Sequence, residues 1–188
     1  MMSVDTQPTS IREARNRILS EIGSDVCLVA ASKRQPDGRI DAALAAGQRV
    51  FGENRVQEAG ARWADRKLKR PDLHLRLIGP LQTNKAEEAV SLFDVIETLD
   101  REKLLKALSR TVEKTGVAPP DLLVQVNTGD EPQKGGVRVG DLESLLRQAR
   151  ETYPGQVTGL MSIPPASESA APHFALLKRL ADQNDLEV

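Results

Sequence analysis

Short apolar runs alternate along the chain with longer stretches of helical spacing, and this alternation dominates the sequence. A first helix is predicted from Ser10, where Ser10-Ile11-Arg12-Glu13 fits a capping box, to about Gly23. The apolar run 26–31 predicts a first strand, followed by a helix over 39–46 closed by Gly47. Four further strand–helix pairs are predicted at 49–51 and 56–69, 73–78 and 85–92, 95–98 and 101–115, and 122–126 and 141–151. A sixth strand at 157–161 precedes a helix over 173–184, and 186–188 reads as the beginning of a seventh strand.

Six strand–helix units joined by short turns imply a parallel sheet with right-handed crossovers. Two closures fit that pattern, an open doubly wound sheet and a (βα)8 barrel. The dinucleotide fingerprint G-x-G-x-x-G does not follow the first strand, and units of about 25 residues suit a small barrel. The expected fold is therefore a single α/β domain of TIM-type (βα)8 barrel architecture. On this count the sequence ends after strand six or at the start of strand seven, short of the strands that would close the barrel.

Composition removes several functions. Lys plus Arg (26) nearly balances Asp plus Glu (27), which argues against nucleic acid as a partner. The basic stretch 62–70 has helical apolar spacing and reads as a solvated helix face. Residues 1–9 lack the apolar segment of a signal peptide, and no run approaches the roughly 20 apolar residues needed to span a bilayer. The single cysteine, Cys27, lies in the first apolar run and reads as a buried, inert thiol. A cytoplasmic protein without membrane contact is expected.

In a barrel the working residues lie at the C-terminal ends of the strands. Those ends carry Ser32-Lys33, Gly52-Glu53-Asn54, the segment Gly79-Pro80-Leu81-Gln82-Thr83-Asn84-Lys85, Asn127-Thr128-Gly129 with Lys134 beyond, and Met161-Ser162. Lys33 is the leading candidate, because an amine at the end of a buried strand would be desolvated and nucleophilic toward aldehydes. Each residue also has a plainer reading. Lys33 could snorkel to water, Asn54 could cap a helix, Asn127 could form an Asx turn, Lys85 and Lys134 could be surface lysines, and Met161 core. Trp63 sits on a helical apolar face as a packing residue. Two histidines, His74 and His173, and one cysteine make no metal cluster.

Several blocks resemble a known family. They are Leu28-Val29-Ala30-Ala31-Ser32-Lys33, Phe51-Gly52-Glu53-Asn54-Arg55-Val56-Gln57-Glu58, Leu77-Ile78-Gly79-Pro80-Leu81-Gln82-Thr83-Asn84-Lys85, Gln125-Val126-Asn127-Thr128-Gly129 through Lys134-Gly135-Gly136-Val137, and Gly159-Leu160-Met161-Ser162-Ile163-Pro164-Pro165. In order and spacing they are similar to the pyridoxal phosphate homeostasis proteins, whose fold is that of the alanine racemase N-terminal barrel. The resemblance implies pyridoxal 5′-phosphate (PLP) as cofactor, held as a Schiff base on Lys33, with Asn54 and Met161 lining its pocket. Lys134 matches a family lysine associated with PLP binding or transfer. The implied role is a carrier or buffer of PLP, with PLP-dependent apo-enzymes as candidate recipients and a monomer or weak dimer as the assembly. The alternatives are a PLP-dependent amino acid racemase or lyase, and an interaction module without PLP. The family pattern continues past Val188 with phosphate-binding loops, so a longer gene product is expected.

Overall fold

The computed structural model describes residues 8–186, in which six parallel strands alternate with helices. Helix α1 (Pro8–Ile22) precedes β1 (Ala30–Ala31) and α2 (Asp37–Ala45). Then come β2 (Val50–Glu53), α3 (Val56–Lys69), β3 (His74–Leu77), α4 (Ala86–Leu92), β4 (Val95–Leu99) and α5 (Glu102–Thr115). The described chain finishes with β5 (Asp121–Gln125), α6 (Leu142–Thr152), β6 (Val157–Met161) and α7 (Ala170–Gln183). The spatial order is β1-β2-β3-β4-β5-β6, with every neighbour parallel. A doubly wound sheet reverses direction at a switch point, whereas this one adds each strand on the same side, which is the winding of a barrel. Among the described residues β1 and β6 do not pair with each other, so the barrel is open between them.

Two periodicities build the core. In β3, His74 is exposed while Leu75 and Leu77 are fully buried, the alternation of a strand with one face under helices. In α5, Leu104, Leu105, Leu108 and Val112 make one apolar stripe, and α6 repeats it with Leu142, Leu145, Leu146 and Ala149. These stripes cover the outer face of the sheet, where Phe51, Leu75, Ile96, Leu122, Val124 and Leu160 are buried. Burying each such side chain contributes about 1.5–3 kcal/mol. Helix α5 stops at Gly116, whose φ of 66° is left-handed and whose N–H donates to the Val112 carbonyl.

Several sequence expectations are corrected. Helix α1 already runs at Pro8, so Ser10 lies within it and is not its cap. The apolar run 26–31 pairs only at Ala30 and Ala31, since Val26 lies in a bend and 27–29 follow it as coil; Val26 is 52% exposed and Cys27 is exposed, not buried. Leu186 is buried but forms no strand, and residues 187–188 lie outside the described residues. The basic stretch of α3 is partly buried in ion pairs: Arg66 with Asp37 and Asp41, and Lys67 with Asp94. Among the described residues no helix is long and apolar enough to cross a membrane.

Candidate functional site

Strand register divides the sheet into two faces. Phe51 stacks on Trp63 of α3 with ring centroids 4.6 Å apart, and Glu53 accepts a hydrogen bond from the Trp63 indole, so odd positions of β2 face the helices. Gly52 and the positions in step with it face the interior. A Cβ at Gly52 would meet Ile78 Cδ1 at 2.8 Å and Val29 Cγ1 at 3.2 Å. Ala31 pairs with Gly52, which places Ala31, and Lys33 two residues later, on the interior parity of β1. Asn54 follows Gly52 on the same parity. Met161 pairs with Gln125 at the end of β6. Lys33, Asn54 and Met161 therefore stand at the C-terminal ends of β1, β2 and β6.

Lys33 begins the turn that leaves β1, closed by the Gln35 N–H donating to the Ser32 carbonyl at 3.1 Å. Its side chain is exposed. The expectation of an amine desolvated by the strand is corrected among the described residues, because β1 ends at Ala31 and Lys33 lies in the turn beyond it. Asn54 is not a helix cap, since α3 is preceded by Arg55 without a side-chain cap. Its Oδ1 is buried and unpartnered. The Asn54 backbone is packed against Gly79, where a Cβ would lie 2.2 Å from the Asn54 carbonyl oxygen. Only glycine leaves room for that approach. The Thr98 hydroxyl donates to the Gly79 carbonyl at 2.9 Å and fixes the same loop from β4.

At the other edge, Ser162 follows Met161 and its Oγ is also buried and unpartnered. Lys134 lies in the β5–α6 loop, where Nζ sits 2.6 Å from Glu131 Oε2 and donates to the Pro164 carbonyl at 3.2 Å. That second bond joins the loops after β5 and β6. His173 joins them again: Nδ1 is 3.1 Å from Thr128 Oγ1 and Nε2 is 3.1 Å from Glu168 Oε2. Asn127 does not form the expected Asx turn to residue 129; it closes the loop four residues on, accepting from the Glu131 N–H and donating to the Glu131 carbonyl.

Below the strand ends, Arg76 and Glu97 form an interior ion pair of 2.8 Å. Burial pushes the Glu97 carboxyl above its usual range, against the pull of the Arg76 guanidinium. Strand parity could have identified this pair, but a charged residue inside a strand looks solvent-facing when only the sequence is read. Beside the mouth, a cleft of about 660 Å³ is lined by Asn54, Gln57, Gln82, Lys85, Arg55 and Arg101. Lys85 pairs there with Glu88 at 2.7 Å, as a helical surface lysine would.

Comparison with known proteins agrees with this geometry. The family model for the alanine racemase N-terminal domain matches residues 10–185. The pyridoxal phosphate homeostasis protein of Aquifex aeolicus is 36% identical over 159 residues, covering 83% of this chain and 68% of that protein. The protein of the same name from Pseudomonas aeruginosa is 37% identical, covering 82% and 67%. PipY of Synechococcus elongatus, solved with PLP bound, superposes with a TM-score of 0.80 at 38% identity, covering 94% of this chain and 84% of that one. Alanine racemase of Clostridium difficile shares the fold at 11% identity, TM-score 0.73, over 95% of this chain and 48% of its own. Matched by the family model over residues 10–185 and by relatives at 36% and 37% identity, this chain belongs to the pyridoxal phosphate homeostasis protein family, built on the alanine racemase N-terminal fold.

Proposed function

We propose that the chain binds PLP at the C-terminal end of the sheet through Lys33, and that it serves as a carrier or buffer of the cofactor. The observation that carries this reading is an exposed Lys33 at the end of β1 together with buried, unpartnered polar atoms at the ends of the adjacent β2 and of β6. Asn54 Oδ1 and Ser162 Oγ have lost water and gained no partner within the protein, a cost of about 1–3 kcal/mol each unless a ligand meets them. Asn54 Oδ1 can accept from a phenol O–H or a protonated pyridine nitrogen, and the Ser162 hydroxyl can donate to a phosphate or phenolate oxygen.

When bound, PLP would supply an aldehyde to which a lysine amine can add with loss of water. Lys33 supplies that amine. Asn54 and Met161 flank the position on the interior face, one polar and one apolar, as a flat heteroaromatic ring requires. Lys134, held by Glu131 and the Pro164 carbonyl, stands in the loop across the mouth as a second amine that takes the cofactor when it leaves Lys33. The relatives named above are pyridoxal phosphate homeostasis proteins, and that shared name favours a carrier or buffer over an amino acid racemase. PLP-dependent apo-enzymes are the proposed recipients.

The test is to mix the chain with PLP, reduce with borohydride and map the modified peptide. A pyridoxyl group on Lys33, lost in Lys33→Ala, is the expected result. Absence of label from Lys33 overturns the reading and leaves a PLP-free interaction module. Amino acid turnover abolished by Lys33→Ala makes the protein an enzyme instead.

A further inference from the structure

We infer that Arg62 and Glu53 are positioning residues for Lys33, acting through the turn that carries it; the inference rests on the reading of Lys33 above. The turn Ser32-Lys33-Arg34-Gln35 needs outside support for two reasons. Strand β1 has only two residues and one neighbour among the described residues. Arg34 also sits at φ 58°, a left-handed conformation that costs a non-glycine residue about 1 kcal/mol.

One guanidinium holds both ends of that turn. Arg62 Nη1 donates to the Ser32 carbonyl at 3.0 Å, and Nη2 donates to the Gln35 carbonyl at 3.2 Å. Lys33 lies between those two carbonyls. The guanidinium is aimed by Glu53, whose Oε1 accepts from Arg62 Nη1 at 3.0 Å. The same oxygen accepts from the Ser32 hydroxyl at 2.8 Å and from the Trp63 indole at 2.9 Å. Glu53 is fully buried and the Arg62 side chain is 19% exposed. A carboxylate removed from water is stabilised only with close donors, so the network favours one arrangement of Ser32, Arg62 and Trp63. Asp37 lies 3.8 Å from Arg62 and adds a contact from α2. Glu53, a motif residue whose role is not evident from the sequence, thereby fixes the backbone on the N-terminal side of the reactive lysine.

The test compares the wild-type chain with Arg62→Lys, Glu53→Gln and, as a control at an exposed position of the same helix, Lys69→Gln. A lysine at position 62 keeps the charge beside Glu53, but its single ammonium cannot bridge two carbonyls as a planar fork does. Two readouts need no cofactor: hydrogen exchange of the Gln35 amide, and reductive methylation of Lys33 measured against exposed Lys103 in the same chain. The third is the rate of borohydride-fixed PLP labelling at Lys33. Arg62→Lys is expected to raise Gln35 exchange about tenfold, as loss of one hydrogen bond predicts. It should change methylation of Lys33 relative to Lys103 and lower the PLP labelling rate about tenfold through misplacement of the amine. The thermal midpoint should fall by only about 2–4 °C, and Lys69→Gln should leave all three readouts unchanged. Glu53→Gln is expected to act in the same direction, so the inference remains testable if Arg62→Lys does not fold. A lower midpoint with Gln35 exchange and Lys33 reactivity at wild-type values would overturn it. Should wild type take no label on Lys33, the PLP reading fails, while exchange and methylation still decide whether the clamp exists.

Discussion

Arg76 Nη1 lies 2.8 Å from Glu97 Oε1 across β3 and β4, beneath the strand ends that carry the candidate site. The two side chains are 27% and 11% exposed, so the carboxylate is the more desolvated partner. Burial raises its pKa and the guanidinium opposes the shift without cancelling it. An acid raised in the native state binds its proton more tightly folded than unfolded. Its stabilising contribution is therefore complete below the ordinary value of 4.5 and is lost as pH rises through the elevated native value. Glu97→Gln should flatten that limb of the stability–pH curve, and at pH 7 it should be as stable as wild type or more so. Urea titrations from pH 4 upward measure this. A clear loss of stability at pH 7 would show that the pairing outweighs the desolvation.

The alternation of apolar runs and helical stretches made the barrel legible, because six units of similar length leave few other solutions. Leu75 and Leu77, or Leu104, Leu105 and Leu108, were legible as core for the same reason. The extent of β1 was not. Residues 26–31 are as apolar as any inner strand, but Val26 lies in a bend and only Ala30 and Ala31 pair with β2, which leaves Val26 and Cys27 exposed. The positions of Lys33 and Asn54 at the ends of β1 and β2 were legible, and their surroundings were not. Trp63 reads as packing on a helical wheel, but its indole N–H is committed to Glu53 ten residues earlier. Likewise, the basic face of α3 reads as solvated until Asp37, Asp41 and Asp94 are brought against it.

Two glycines should respond oppositely to alanine. At Gly79 the added methyl would sit 2.2 Å from the Asn54 carbonyl oxygen, 2.7 Å from its Cα and 2.8 Å from its carbonyl carbon, all backbone atoms that cannot swing aside. Gly79→Ala should cost about 1–3 kcal/mol or more and displace Asn54, lowering PLP labelling as well. Gly60 lies within α3 with nothing within 4 Å of its Cβ position, and Gly60→Ala should stabilise the chain by about 0.5–1 kcal/mol. Thermal unfolding of the two variants beside wild type checks both signs.

Trp63→Phe separates the indole hydrogen bond from the ring packing. The phenyl ring keeps part of the contact with Phe51, while Glu53 loses one of its three donors and retains Ser32 and Arg62. A loss of about 1–3 kcal/mol is expected for the bond, and about 3–5 kcal/mol for Trp63→Ala, where the packing goes too. Equal losses in the two variants would mean that the indole N–H contributes little and that packing at this position tolerates no vacancy.

The loops after β5 and β6 hang on His173 as much as on Lys134. His173 is 8% exposed, and both its ring nitrogens have partners on those loops, Thr128 on one side and Glu168 on the other. Thr128→Val keeps the side-chain volume but leaves Nδ1 buried without a partner, which should cost about 1–3 kcal/mol. The loss should be local before it is global, since the segment from Pro164 to Ser169 would then depend on the Lys134 contact at Pro164 and on the packing of Pro165 against Gly129. Limited proteolysis should cut the variant between β6 and α7 faster than wild type, with α5 and α6 unaffected. Cleavage at the wild-type rate would assign the joining of the two loops to Lys134 and Pro165 alone.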